Sequence, residues 1–143
     1  MKRDFKEIKE MLYNYSKLKA ERTELKIRYE ELKDSIGLKS VSYDNEGTSY
    51  GISKTTENQA IKVVEAKEKL QSFIKTKGFD ILRIENLLIP LKEKERELIQ
   101  YKYFEKRRID TLPYLLDRTD RTCRRIERDA LNQIYDVINL KVS

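Results

Sequence analysis

Between Arg118 and Leu140 the chain puts two opposed surfaces on one helical period, and this stretch limits the fold more than any other. At about 100° per residue, Cys123, Ile126, Ala130, Ile134 and Val137 fall on one apolar side. Arg121, Arg124, Arg125 and Arg128 gather on a stripe about 100° wide that points largely away from it. Thr119 stands just ahead as an N-cap, and Asp120 in the first turn complements the helix dipole. Such a helix needs a core behind it and leaves an arginine surface in front. That arrangement suits a helix that reads a DNA groove.

The rest of the chain must supply the core, and composition limits how it can. Of 143 residues, 39% are charged and 38% hydrophobic, which predicts an extended or multi-part helical protein over one compact core. The net charge of +6 favours anionic partners. No run of about 18 apolar residues exists, so no membrane partner is expected. The first ten residues are charged and lack the apolar core of a signal peptide, and the single cysteine cannot form an intrachain disulfide. Both point to a reducing, cytoplasmic setting. There is no histidine, which removes the commonest general base and the commonest zinc ligand. No Walker-type or dinucleotide-binding glycine pattern occurs. The expectation is a protein that is not an enzyme, with no catalytic residue, metal site or cofactor.

The predicted architecture is all-α. Residues 1–36 read as one long amphipathic helix, with Phe5, Ile8, Leu12 and Tyr15 at three-four spacing and Leu25, Tyr29, Leu32 and Ile36 repeating it. The seam changes phase around Leu18 and Arg22, as a stammer would make it do. Two readings stay open: a helix that folds back on its own molecule, or a coiled coil that pairs two chains into a homodimer. Residues 37–54 hold three of the four glycines and an Asp44-Asn45 turn signal, and read as a flexible linker. Residues 55–90 read as connecting helices. The first is capped by Thr55 or Thr56, packs through Ile61, Val64, Leu70, Phe73 and Ile74, and ends at Gly78. Asp80 then caps a short helix through Ile81, Ile84, Leu87 and Leu88, stopped by Pro90.

Residues 91–143 form the predicted DNA-binding domain. A helix over 92–104 turns Leu98, Ile99 and Tyr103 inward beside Leu91. A short helix starting near Asp110 or Thr111 tolerates Pro113 in its first turn and buries Ile109, Leu112, Leu115 and Leu116. A tight turn at 117–119 and the arginine helix complete the order of a helix-turn-helix. Lys102, Lys106, Arg107 and Arg108 precede it and suit phosphate contacts, which position a protein without choosing sequence. Cys123 reads as a small core residue.

The stretch from Leu91 to Glu105, followed by Thr119 to Leu131, resembles the fourth region of bacterial sigma factors. More narrowly, it is similar to the phage-encoded ArpU and RinA type late-gene regulators. The matching residues are Leu91 with Glu95 and Arg96, the Tyr103-Phe104 pair, Leu112 and Leu116, and Arg125-Ile126 with Ala130-Leu131. The loop over 43–53 also resembles that group. Pro113 and Arg108-Ile109 depart from it. The resemblance implies a sigma-like helix-turn-helix acting at promoters beside host RNA polymerase, in the cytoplasm of a bacterial host. It implies that Asp120, Arg121, Arg124 and Arg125 face the major groove of double-stranded DNA. Arg118, Thr119, Thr122, Arg128, Lys106, Arg107 and Arg108 complete the candidate DNA-binding set. The expected function is a transcriptional activator of phage or prophage genes. The alternatives are a small terminase subunit that binds DNA for packaging, or a coiled-coil adaptor.

Overall fold

The structure is a computed structural model that describes residues 3–46 and 53–142, with side chains described for 3–35 and 57–142. Among the described residues it is all-helical: α1 (Lys6–Tyr13), α2 (Tyr15–Glu46), α3 (Ser53–Leu87), α4 (Glu93–Ile99), α5 (Leu112–Leu116) and α6 (Asp120–Ile138). A wide turn over Gln100–Phe104 extends α4, and a single 3₁₀ turn over Ile109–Thr111 leads into α5. The chain divides into two compact units, Met1–Leu18 with Asp80–Ser143, and Lys19–Phe79.

The first unit holds the buried core. Ile8 and Leu12 of α1, Ile84 and Leu87 of α3, and Leu91 enter it with Leu98, Ile99 and Tyr103. Leu112, Leu116, Cys123, Ala130, Leu131 and Ile134 complete it. Aromatic contacts dock the amino-terminal segment: Tyr13 on Tyr103 at 4.7 Å, Tyr15 on Phe104 at 4.4 Å, and Phe5 edge-on to Tyr135 at 6.3 Å. Phe5 and Tyr15 belong to the face that the three-four spacing predicts, and Ile8 and Leu12 of that face are buried, whereas Tyr13 lies off it.

The second unit is an antiparallel helical hairpin. Lys77 Nζ pairs with Glu21 at 3.1 Å, Arg22 Nε donates to the Ile74 carbonyl at 3.3 Å, and Gln71 donates to the Tyr29 hydroxyl at 2.9 Å. As residue numbers rise on α2 they fall on α3, so this part of α2 folds back on its own chain. The half-buried positions on α3 include Val63, Lys67, Leu70, Ile74 and Lys77, a four-three repeat. On α2 they include Arg22, Leu25, Tyr29 and Leu32. Ile61, Val64 and Phe73, expected inward, are exposed, because the seam that forms is the heptad through Val63 and Leu70.

Other boundaries also move. The long first helix is interrupted at Asn14, where the backbone turns before α2. Helix α2 then runs to Glu46 and α3 starts at Ser53, so much of the 37–54 linker is helical. Its remainder, 47–52, lies outside the described residues, as do the side chains of Ile36, Tyr43, Tyr50, Thr55 and Thr56. Gly78 does not end a helix, and Asp80 caps none. Both sit inside α3, where Asp80 pairs with Arg83 at 3.6 Å. A Cβ at position 78 would lie 3.1 Å from Arg22 Nε, so the glycine makes room for a crossing side chain.

Candidate nucleic-acid interface

Helix α6 is held from behind by α4, which packs against both α5 and α6. Three polar links fix this frame. Lys94 Nζ donates to the Leu116 carbonyl at 3.1 Å, closing the end of α5. The buried Glu95 carboxylate accepts the Lys92 backbone N–H at 2.7 Å and the Gln133 amide at 2.8 Å, tying the start of α4 to α6. Lys102 and Glu127 form a half-buried ion pair. Lys102 is therefore engaged inside the domain, contrary to its expected place among the phosphate contacts.

The turn between α5 and α6 needs a residue in the left-handed region, and Asp117 takes it at φ 54° and ψ 50°. Aspartate visits this region more readily than most residues with a side chain, which is how the turn dispenses with glycine. The Arg118 N–H returns to the Pro113 carbonyl at 3.1 Å, completing a Schellman-type closure. Thr119 then caps α6: its hydroxyl oxygen accepts the Thr122 N–H at 3.2 Å and its O–H points to Thr122 Oγ1 at 2.9 Å. Thr119 and Thr122, both in the candidate set, thus serve the helix end. Such a cap contributes about 1 kcal/mol.

The predicted apolar side of α6 is the side that packs. Cys123, Ala130 and Ile134 are buried, Ile126 and Val137 pack partly buried, and Leu131 joins them. Burial pushes the Cys123 thiol above its usual range, with the nearby Asp120 carboxylate adding to the rise. The thiol is a core group. Ile109, expected inward, is 62% exposed, because the 3₁₀ turn carries it to the rim.

The opposite side is arginine. Arg118, Arg121, Arg124, Arg125 and Arg128 are all exposed. Among the described residues, Arg121, Arg125 and Arg128 have no ion-pair or hydrogen-bond partner. Arg124 Nε pairs with Asp120 one turn back at 3.2 Å, and Arg118 donates to the Asp117 carbonyl at 2.7 Å. The same side of α6 changes character in its second half. There Arg3 pairs with Asp136 at 2.9 Å and lies over the Tyr135 ring at 4.6 Å, beside Phe5. The amino-terminal segment therefore covers the later turns and leaves 121–128 open. Nothing in the sequence flags Arg3 for this role.

Lys106, Arg107 and Arg108 are exposed on the loop before α5. Lys106 adopts φ 55°, and the Arg107 N–H closes back to the Tyr101 carbonyl at 2.8 Å. Arg107 pairs with Glu105 at 2.9 Å and Arg108 with Asp110 at 3.2 Å. Hydrogen bonds from Gln100 and Arg107 hold the Glu105 carboxyl below its usual range. These exposed pairs exchange readily with other anions. A cavity of ≈ 260 Å³ lined by Leu98, Ile109, Leu112, Cys123 and the Asp120 and Arg124 pair lies between this loop's end and α6. The basic loop thus adjoins the start of the arginine stripe.

Among the described residues no cluster of histidine, cysteine or carboxylate side chains could hold a metal ion, and no helix is long and apolar enough to cross a membrane. Compared with protein families, curated proteins and solved structures, the chain matches none of them.

Proposed function

We propose that this protein is a sequence-specific, double-stranded-DNA-binding transcriptional regulator of phage or prophage genes. It presents the first half of α6 to the major groove and acts beside host RNA polymerase. The observation that carries this reading is the set of unpaired guanidinium groups of Arg121, Arg125 and Arg128, on one stripe of a helix packed through its other side. Guanidinium offers phosphate and the guanine edge a rigid, always-charged fork, where an ammonium group is a point charge on a flexible stem. Lys106, Arg107 and Arg108 would hold the phosphate backbone. The sigma-like likeness of residues 91–131 supports the promoter setting. The test is retention of fragments from the sheared genome that encodes the protein. The wild type should retain a small set of promoter-bearing fragments, and a variant with Arg121, Arg125 and Arg128 all changed to Gln should lose them. Equal retention by both would remove the reading.

A second reading draws on the hairpin. None of its described residues is buried, and Ile27, Ile61, Val64 and Phe73 remain exposed. An arm of this kind suits the self-association of a small terminase subunit. Light scattering separates the two: a large ring favours packaging, and a monomer or a homodimer favours regulation.

A further inference from the structure

We infer that the outward flank of α3 joins two copies of this chain as an antiparallel, twofold-symmetric homodimer. The seam of α3 through Val63, Leu70 and Ile74 is already spent on α2 of the same chain. At about 100° per residue, a second stripe lies about 130° round the helix from that seam. It carries Ile61, Val64, Glu68, Lys75, Phe79 and Leu82 within an arc of about 60°. Its apolar members are more than half exposed: Ile61 56%, Val64 52%, Phe79 52% and Leu82 60%. Among the described residues Glu68 and Lys75 have no ion-pair partner, and the Lys75 ammonium lies 6.0 Å from the Phe79 ring.

The order of residues along the stripe specifies what covers it. From either end it runs apolar pair, charge, polar centre, opposite charge, apolar pair. Turn a second copy by half a rotation about an axis passing between Gln71 and Ser72. Ile61 then meets Leu82 of the second copy, and Val64 meets its Phe79. The same operation sets Glu68 against Lys75 on both sides of the axis, so the charges complement as the apolar pairs do. A parallel pairing would oppose Glu68 to Glu68 and Lys75 to Lys75, which repel. Charges beside an apolar seam set the orientation of paired helices in this way. The two apolar pairs lie about 27 Å apart along α3, so the contact is a long helical seam and not a point. Because the same surface serves on both copies, the pairing closes at two. The exposed Ile27 and Phe73 fall off this stripe and have no such counterpart. None of this depends on what the arginines of α6 bind.

The experiment is sedimentation equilibrium of the full chain across micromolar concentrations, for the wild type, Glu68→Lys, Lys75→Glu and an equal mixture of the two variants. The wild type should be a dimer in equilibrium with its monomer. Glu68→Lys opposes lysine to lysine and Lys75→Glu opposes glutamate to glutamate, so each should dimerise about tenfold more weakly. In the mixture both contacts are again Glu on Lys, and a heterodimer should form about as tightly as the wild-type dimer. The double variant Glu68→Lys with Lys75→Glu should recover in the same way. Phe79→Ala should also weaken the dimer, with helicity by circular dichroism unchanged because the ring is exposed in the single chain. A wild type that stays monomeric, or that assembles beyond two copies, overturns the inference. So does a dimer indifferent to both reversals and to mixing, since another surface would then hold it. These outcomes leave the duplex-binding reading standing, and failure to bind DNA would leave the dimer standing.

Discussion

The hydroxyl of Tyr103 is fully buried and has no hydrogen-bond partner among the described residues, with the Tyr13 ring 4.7 Å away. A buried hydroxyl without a partner keeps its desolvation penalty, so removing it relieves strain on the fold. Tyr103→Phe should leave stability unchanged or raise it by about 1 kcal/mol, measured by urea unfolding at neutral pH. The alkaline limb gives a second check. Burial first, then the Glu127 carboxylate and Tyr13, push the Tyr103 phenol above its ordinary value of 10.0. The unfolded chain therefore releases this proton before the folded one does. Its contribution to stability is complete below about pH 10 and declines as pH rises from there toward the folded value. Wild-type stability should fall more steeply above pH 10 than that of Tyr103→Phe, and parallel curves would contradict the burial argument. A contrasting residue is Asp117, whose positive φ is tolerated because the Arg118 N–H and the Thr119 cap both depend on that turn.

At the scale of elements, the hairpin turns on one crossing. Gly78 sits inside α3, where alanine would be favoured by about 1 kcal/mol. Its added Cβ would meet Arg22 Nε at 3.1 Å, and that nitrogen is donating to the Ile74 carbonyl at 3.3 Å. The two substitutions should couple. Gly78→Ala should be neutral or destabilising alone and stabilising by up to about 1 kcal/mol in an Arg22→Ala background. A double-mutant cycle from thermal unfolding measures this, and strict additivity would show that the crossing does not matter. Helix α6 follows a different logic, since its cap, its buried side and the Glu95–Gln133 link all agree on one placement. The arginine stripe is thereby aimed by the backbone and the core, with no requirement on the arginines themselves.

For the molecule as a whole, the division into a buried-core unit and a hairpin matches the phase change readable near Leu18. The all-α class, the α1 face, the core of α4 and the two sides of α6 were legible because each rests on periodicity within one helix. The 121–128 stripe was legible for the same reason. What escaped depends on partners distant in sequence. Gly78 looks like a stop until Arg22 is known to cross it. Val63 and Val64 are indistinguishable until a partner helix selects the heptad. Lys102 reads as a phosphate contact until Glu127 claims it, and nothing local announces Arg3 over Tyr135. In the proposed function the exposed guanidinium stripe engages the phosphates and grooves of duplex DNA. Fluorescence anisotropy with a labelled duplex, titrated between about 50 and 200 mM salt, tests it most directly. Log affinity should fall linearly with log salt, with a slope of about −0.9 per phosphate neutralised. The slope should become shallower when Arg121, Arg125 and Arg128 are changed to Gln. Absence of binding at the lowest salt, or a slope that this variant leaves unaltered, would contradict it.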